Sequence, residues 1–248
     1  MSGHSKWATI KHKKGAADKA RGKLFAKIAR QIEVAARAGG GDPTSNATLR
    51  TMVQKAKAAQ MTNDAIERAI KRGTGEDSGE SYEAIMYEGY APGGVALMID
   101  VLTDNRNRTG AEIRNIFSKM GGSMAEPGAV GWQFSRRGVV LVPGTVAEDD
   151  VMLVALEAGA EDIAHDGDAW RITTEPSIVY DVKIALEEAG LEVLSAESTM
   201  VSSTTVEVTD PDDARKVLRI MDALEDNDDV QDVFANFDIS DDLMAAVG

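Results

Sequence analysis

The spacing of apolar residues divides the chain into a helical part and a part in which strands alternate with helices. From about Asp18 to Gly39, apolar residues recur at intervals of three and four, which predicts an amphipathic helix. These residues are Leu24, Ile28, Ile32 and Ala35. Gly39-Gly40-Gly41 with Asp42-Pro43 cannot continue a helix.

Two shorter helices are predicted to follow this first helix. One begins near Asn46 and repeats apolar residues through Leu49 and Ala56, and the other is capped by Thr62 or Asn63. Residues 1–75 are therefore expected to form a three-helix domain. The polar stretch 74–81 is predicted to be a linker.

Beyond the linker the pattern favours strands at 82–90 and 95–102, a turn at Gly93-Gly94, a helix to Met120 and a strand at 130–134. Residues 138–200 read βαββαβ, the order of a ferredoxin-like unit. Residues 95–134 joined to 204–237 give a second such order, followed by a frayed acidic end.

The predicted fold is therefore α+β: an N-terminal three-helix domain (1–75) followed by two α/β domains. The second α/β domain, at 138–200, is ferredoxin-like and inserted within the first, at 82–134 plus 204–240. A single sheet of seven or eight strands is the alternative.

Charge, like the spacing of apolar residues, differs between the two parts of the chain. Residues 1–75 hold 16 Lys and Arg against five Asp and Glu, a net charge of +11, whereas the rest holds 11 against 36, a net charge of −25. This asymmetry indicates an end that binds polyanions on a body that repels them.

The basic residues of this end form the predicted nucleic-acid-binding site. On the first helix they recur on one arc, opposite most of the apolar stripe. Lysines provide phosphate contacts, and Trp7 can stack on an unpaired base or instead pack against the bundle. The candidate residues are His4, Lys6, Trp7, Lys11, His12, Lys13, Lys14, Lys19, Lys23, Lys27, Arg30 and Arg37. The boundary between an inserting segment and the helix is predicted near Gly15.

A second anion site is predicted where a strand gives way to a helix N-terminus. Its candidates are Asn105, Arg106 and Arg108. In the alternative interpretation, Asp104 caps the helix and the two arginines pair with nearby carboxylates.

Other classes of function are not favoured. The chain has no cysteine and no phosphate-loop, HExxH or GxSxG motif, so catalytic residues, a metal and a cofactor are not predicted. Its adjacent aspartates favour a solvated acidic face over a cation site. No apolar run is long enough for a membrane span, and the expectation is a cytoplasmic protein that need be no more than a monomer.

Several stretches resemble the YebC/PmpR family. The match runs nearly end to end. It is densest in Gly3-His4-Ser5-Lys6-Trp7, Gly39-Gly40-Gly41-Asp42-Pro43, Tyr87-Glu88-Gly89-Tyr90 and 102–109. The resemblance implies a helical N-terminal domain, two α/β domains and no catalytic residues. It also implies a DNA-binding transcriptional regulator or, as in the mitochondrial translational activator of cytochrome c oxidase, a factor acting on translation.

The residues themselves leave the nucleic acid open. No short turn feeding a recognition helix with base-reading side chains is evident, which disfavours sequence-specific DNA reading. A basic tail with one tryptophan and two histidines suits irregular RNA, so binding of ribosomal RNA is the alternative to DNA. For that alternative, the resemblance implies a role in relieving ribosomes stalled at proline-rich stretches. A protein-only adaptor is the third hypothesis.

Overall fold

The computed structural model describes residues 17–75 and 82–247. Its N-terminal part is a bundle of three helices, α1 (Ala17–Gly39), α2 (Ala47–Ala58) and α3 (Asn63–Thr74), as predicted. The bundle core contains Ile28, Ile32, Leu49 and Ile66. Leu24, which was predicted to face the core, is 44% exposed. The prediction fails there because α1 is almost twice as long as its partners and its core contacts begin only at Phe25.

Capping side chains organise the short connections of the bundle. Asn46 caps α2 by accepting the backbone N–H of Leu49, and its amide donates to the carbonyls of Ala35 and Gly40 at 2.9 and 2.8 Å. Thr62 caps α3 in the same manner by accepting from Ala65. One buried amide therefore joins the end of α1 to the start of α2.

Two glycines give a test of how closely α1 and α3 approach. A Cβ at Gly73 of α3 would collide with the Glu33 carbonyl oxygen and lie 2.9 Å from the Ala36 Cβ, whereas a Cβ at Gly22 of α1 would meet nothing within 4 Å. We expect Gly73→Ala to lower the free energy of unfolding by about 1–3 kcal/mol through overpacking. Gly22→Ala should raise it by about 0.5–1 kcal/mol, because alanine is the better helix former.

Chemical denaturation of the two variants measures both changes. Because intrinsic helix propensity favours alanine at both positions, opposite signs can arise only from the packing of Gly73. A stabilised Gly73→Ala protein would contradict the close approach of the two helices.

The remaining elements follow in chain order. They are β1 (Glu83–Ala91), β2 (Val95–Thr103), α4 (Arg106–Met120), β3 (Ser123–Ala125), β4 (Phe134–Pro143), α5 (Glu148–Glu157), β5 (Asp162–Asp166), β6 (Ala169–Thr174), α6 (Val179–Glu188), β7 (Ser195–Ser202), β8 (Val206–Glu207), α7 (Pro211–Asp226), β9 (Val230–Ala235), β10 (Phe237–Asp238) and α8 (Asp241–Val247). Residues 133–203 form one compact unit, here called the inserted unit. The described residues before and after it belong to the other.

The central domain, formed by β1–β3, α4 and the elements from β8 onward, is built on an antiparallel sheet of order β3-β1-β2-β9. Strand β2 lies inside it, and Leu97, Ile99 and Val101 share a core with α4 and α7. The hairpin between β1 and β2 turns at Gly93 and Gly94, whose φ angles of 76° and 78° favour glycine.

Three local predictions about the central domain are wrong. The strand expected at 130–134 is a 3₁₀ turn at Gly131–Gln133, and Phe134 begins β4 of the inserted unit. The third strand of the central sheet is instead the short β3. Strand β8 does not join that sheet but pairs in parallel with β10, and the acidic end forms α8, which packs Leu243 and Met244 on the core.

The inserted unit has the predicted ferredoxin-like fold. Its sheet has the order β5-β6-β4-β7 with every neighbouring pair antiparallel, and α5 and α6 pack on it through Val151, Val182 and Leu186. Its first and last strands pair at Phe134 and Ser202. Just outside this pair, the Ser203 N–H donates to the Gln133 carbonyl at 2.7 Å. The chain therefore enters and leaves this unit at one point.

Candidate nucleic-acid interface

The best-connected charged group near the predicted site is the carboxylate of Asp229, at the start of β9. Its side chain is 9% exposed, and Oδ2 accepts from Arg108 at 2.6 Å, from the Thr109 hydroxyl at 2.7 Å and from the Thr103 hydroxyl at 3.2 Å. Oδ1 accepts from Arg30 of α1 at 3.1 Å. Burial opposes ionisation of Asp229, but the hydrogen bonds from Thr109, Arg108 and Thr103 outweigh it and hold the pKa below its ordinary value.

The basic face of α1 rests on the segment that precedes Asp229. We call the last two residues of α7 and the three that follow, 225–229 (Glu225, Asp226, Asn227, Asp228 and Asp229), the acidic loop. Lys23 Nζ lies 2.8 Å from Asp226 Oδ1 and 3.1 Å from its carbonyl oxygen, and Lys27 Nζ lies 2.7 Å from the Glu225 carbonyl oxygen. The hydrogen bond to Asp226 raises the pKa of Lys23.

Arg30 contributes the most buried of these contacts. Its guanidinium donates to the carbonyls of Leu102 and Asp228 at 3.0 and 3.1 Å, and it stacks on the Tyr82 ring at 4.8 Å. Such a position over an aromatic face adds to the attraction of a guanidinium. The predicted phosphate-binding residues Lys23, Lys27 and Arg30 are therefore engaged within the chain.

Beside these contacts lies an open polar cavity of about 560 Å³. Two arginines and five carboxylates line it, so its charge is net negative. The charged lining consists of Arg30, Arg108, Asp104, Glu112, Asp226, Asp228 and Asp229. Among the described residues, no group of three or more His, Cys, Asp or Glu is arranged to hold a metal ion.

Of the remaining predicted positions, Arg37 has a described side chain, and it pairs elsewhere on the bundle. Arg37 pairs with Glu33 at 3.1 Å, and Glu33 also meets Arg72 at 3.3 Å. Lys19 lies on α1, but its side chain is outside the described part. The tail residues and the boundary near Gly15 also lie outside the described residues. These tail residues are His4, Lys6, Trp7, Lys11, His12, Lys13 and Lys14.

At the second predicted anion site the arginines have carboxylate partners. Asn105, rather than Asp104, caps α4 by accepting from the Arg108 N–H. Arg106 pairs with Glu83 at 3.1 Å, and Arg108 bridges Asp104 and Asp229 at 2.9 and 2.6 Å. This is the pairing of the alternative interpretation, with a different capping residue.

Sequence reasoning missed a second set of cations on the bundle. Each is exposed and makes no salt bridge to another described residue. They are Arg21 on α1, Arg50 and Lys57 on α2, and Arg68 and Lys71 on α3. A signal was present, because positions seven apart, such as 50 and 57, share one side of a helix.

Comparisons with known proteins agree with this architecture. The model of the TACO1/YebC protein N-terminal domain matches residues 5–76, and that of the TACO1/YebC second and third domain matches residues 82–237. The chain belongs to the TACO1/YebC family. The resemblance to YebC/PmpR proteins is thereby confirmed.

Relatives of this TACO1/YebC chain match it along its whole length. A protein of Rubrobacter xylanophilus is 59% identical over 100% of this chain and 99% of its own, and one of Beutenbergia cavernae is 56% identical over 99% and 98%. Both carry the name probable transcriptional regulatory protein. The crystal structure of a conserved hypothetical protein from Aquifex aeolicus is similar, with a TM-score of 0.78 and 46% identity over 90% of this chain and 93% of that one.

The turn between α2 and α3 of the TACO1/YebC bundle is short. Only four residues, Ala59 to Thr62, join α2 to α3, and Gln60 has a φ of 62°. A short turn therefore precedes α3, as in a helix-turn-helix, and the side chains at the start of α3 decide whether it suits DNA reading. The first turns of α3, however, present the carboxylates Asp64 and Glu67, which DNA phosphates repel.

The stretch Tyr87-Glu88-Gly89-Tyr90, which resembles the family, holds a loop of the central domain in place. Glu88 of β1 is buried and accepts the backbone N–H groups of Gly128, Val130 and Gly131 at 2.6, 2.6 and 2.9 Å. Burial opposes its ionisation, but these three hydrogen bonds outweigh burial and lower the pKa of Glu88.

No helix in the described part of the chain is long and apolar enough to cross a membrane.

Proposed function

We propose that this TACO1/YebC chain is a non-enzymatic regulator of gene expression that binds nucleic acid through its helical bundle and the basic run before it. The observation that carries the proposal is the set of exposed cations on the bundle, Arg21, Arg50, Lys57, Arg68 and Lys71, which make no salt bridge to other described residues. Lysine and arginine in this state bind phosphate by releasing condensed counterions.

The charge of the separate parts supports the same conclusion. Residues 17–75 hold 12 Lys and Arg against five Asp and Glu, whereas the inserted unit holds four against 14. A polyanion is attracted to the bundle and repelled by the inserted unit, so the bundle is the end that meets nucleic acid.

Two nucleic acids fit this surface. Duplex DNA, and hence transcriptional regulation, is supported by the name of the relatives and by the four-residue turn between α2 and α3. Ribosomal RNA, and hence a ribosome-associated translation factor, is supported by Asp64 and Glu67. Those carboxylates disfavour insertion of the start of α3 into a DNA groove.

A matched pair of double variants tests whether the bundle binds nucleic acid. Arg68→Ala/Lys71→Ala removes two bundle cations, and Arg114→Ala/Lys119→Ala removes an exposed arginine and lysine from α4. We expect the first to weaken binding of labelled duplex DNA or single-stranded RNA about tenfold and to reduce the log–log salt slope by roughly two. The control should stay within about twofold. Equal losses in both variants would contradict a bundle interface.

Two further measurements distinguish duplex DNA from ribosomal RNA as the target. A preference of about 10³-fold for one duplex site over random DNA supports transcriptional regulation. Sedimentation with ribosomes that is lost on deleting residues 2–14, together with only non-specific duplex binding, supports the translation role.

A further inference from the structure

The acidic loop provides α1 with the kind of acceptor that nucleic acid would provide. Lys23 contacts both the carboxylate and the carbonyl of Asp226, and Lys27 contacts the carbonyl of Glu225. The loop carries four carboxylates, at Glu225, Asp226, Asp228 and Asp229. The lysine ammonium groups thus donate to closely spaced carboxylate and carbonyl oxygens, and a phosphate backbone offers them closely spaced anionic oxygens in the same way.

The end of α7 adds to this attraction. Helix α7 has no basic residue in its last turn, although the C-terminal end of a helix carries partial negative charge. The lysines of α1 supply the missing positive charge from elsewhere in the chain. Lys23 and Lys27 therefore both contact the C-terminal end of α7.

The contacts of Lys23 and of Arg30 with the acidic loop differ in how exposed they are, and therefore in how readily another anion can replace the loop. The side chains of Lys23 and Asp226 are 36% and 78% exposed, and exposed pairs of this kind contribute little to stability. Arg30 and Asp229 are 23% and 9% exposed, and Arg30 also stacks on Tyr82. A competing anion can thus displace the loop from Lys23 and Lys27 while Arg30 keeps α1 attached.

We propose that the acidic loop is an autoinhibitory element that competes with nucleic acid for Lys23 and Lys27 of α1. This inference rests on the proposed function and adds a regulatory step to it. In the free protein the loop occupies the two lysines and the exposed bundle cations make the first contacts. On binding, phosphates replace the loop and recruit the lysines.

Neutralising the loop tests the proposal in the full-length protein. Asp226→Asn/Asp228→Asn removes two exposed carboxylates and leaves Asp229 intact. We expect labelled single-stranded RNA or duplex DNA to bind about threefold to tenfold more tightly at low salt, because two of the four carboxylates that compete for the lysines are removed. Adding Lys23→Ala/Lys27→Ala to this variant should abolish the gain, whereas the same lysine changes in the wild-type background should alter affinity less.

The control separates local competition from net charge. Glu188→Gln/Glu192→Gln changes the net charge by the same amount on exposed residues of the inserted unit, and it should improve affinity by less than about twofold. Equal gains in the two variants would overturn the inference and leave the proposed function standing. Absence of nucleic-acid binding by the wild-type protein would overturn the proposed function and the inference with it. Asp226→Asn alone should give a smaller gain in the same direction.

Discussion

Replacing Asp229 with asparagine is expected to lower the free energy of unfolding by about 2–3 kcal/mol. The carboxylate is 9% exposed and accepts from Arg30, Arg108 and two threonine hydroxyls. Asparagine removes the negative charge that the two guanidinium groups share and places an amide donor against other donors. Removing one partner from such a largely buried network costs much more than losing an exposed pair. Chemical denaturation at neutral pH measures the change.

The pH dependence of Asp229→Asn provides a second measurement. The pKa of Asp229 is lower in the folded chain than its ordinary value, so its contribution is present at neutral pH and is lost as the pH falls below about 4. The stability difference between wild type and variant should therefore shrink as the pH drops through this range. Asp226→Asn, at a side chain 78% exposed, is the control and should change stability by less than about 1 kcal/mol. A constant difference down to pH 2 would contradict the assignment.

Replacing Glu88 with glutamine is expected to cost about 2 kcal/mol and to loosen the loop at residues 128–131. The carboxylate accepts three backbone N–H groups, and glutamine offers one oxygen in place of two. At least one buried N–H group would then face an amide donor, and a buried donor without an acceptor carries a desolvation penalty. Amide hydrogen exchange should accelerate at Gly128, Val130 and Gly131.

Glu126→Gln is the matched control for Glu88→Gln. Glu126 lies in the same loop with an exposed side chain, and its replacement should leave both stability and exchange unchanged. The Glu88 carboxyl also has a lowered pKa, so its stabilising effect is lost as the pH falls below about 4. Unchanged exchange at the three amides in Glu88→Gln would mean that the loop does not depend on this carboxylate.

The elements that the sequence predicts well depend on residues close together in the chain. The helical spacing of α1, the start of α2 near Asn46, the cap of α3 at Thr62 and the Gly93-Gly94 turn are local features, and each appears where the pattern places it. The βαββαβ order of the inserted unit is also local in this sense, because its six elements are consecutive. Its ferredoxin-like sheet follows from that order.

The failures arise where distant residues decide the local conformation. The stretch after Gly128 has the composition of a strand, but Glu88, about 40 positions earlier, binds its amides and bends it into a turn. Likewise β8 pairs with β10 rather than with the central sheet. Glu88 lies outside the short sequence window from which a strand at 130–134 is predicted, and β10 lies outside the window that contains β8.

For the candidate site, too, the local features were predicted and the tertiary contacts were not. Helical periodicity placed Lys23, Lys27 and Arg30 on one face of α1, and the structure keeps them there. That this face meets the acidic loop, about 200 positions further along, is a tertiary contact with no signature in either segment. Exposure of Arg50, Lys57, Arg68 and Lys71 depends on which side of each short helix faces the core, and the spacing of seven between Arg50 and Lys57 is a local signal for it.

The strand pair at Phe134 and Ser202 has a consequence for how the chain assembles. Strands β2 and β9 are neighbours in the central sheet although residues 104–229 separate them, and 71 of those residues belong to the inserted unit. Once that unit has folded, its two ends are held together, and the remaining loop is less than half as long. The entropy of closing it falls by less than about 1 kcal/mol, but the search for the β2–β9 pairing becomes shorter. Folding of the inserted unit thus shortens the chain segment that must close before β2 pairs with β9.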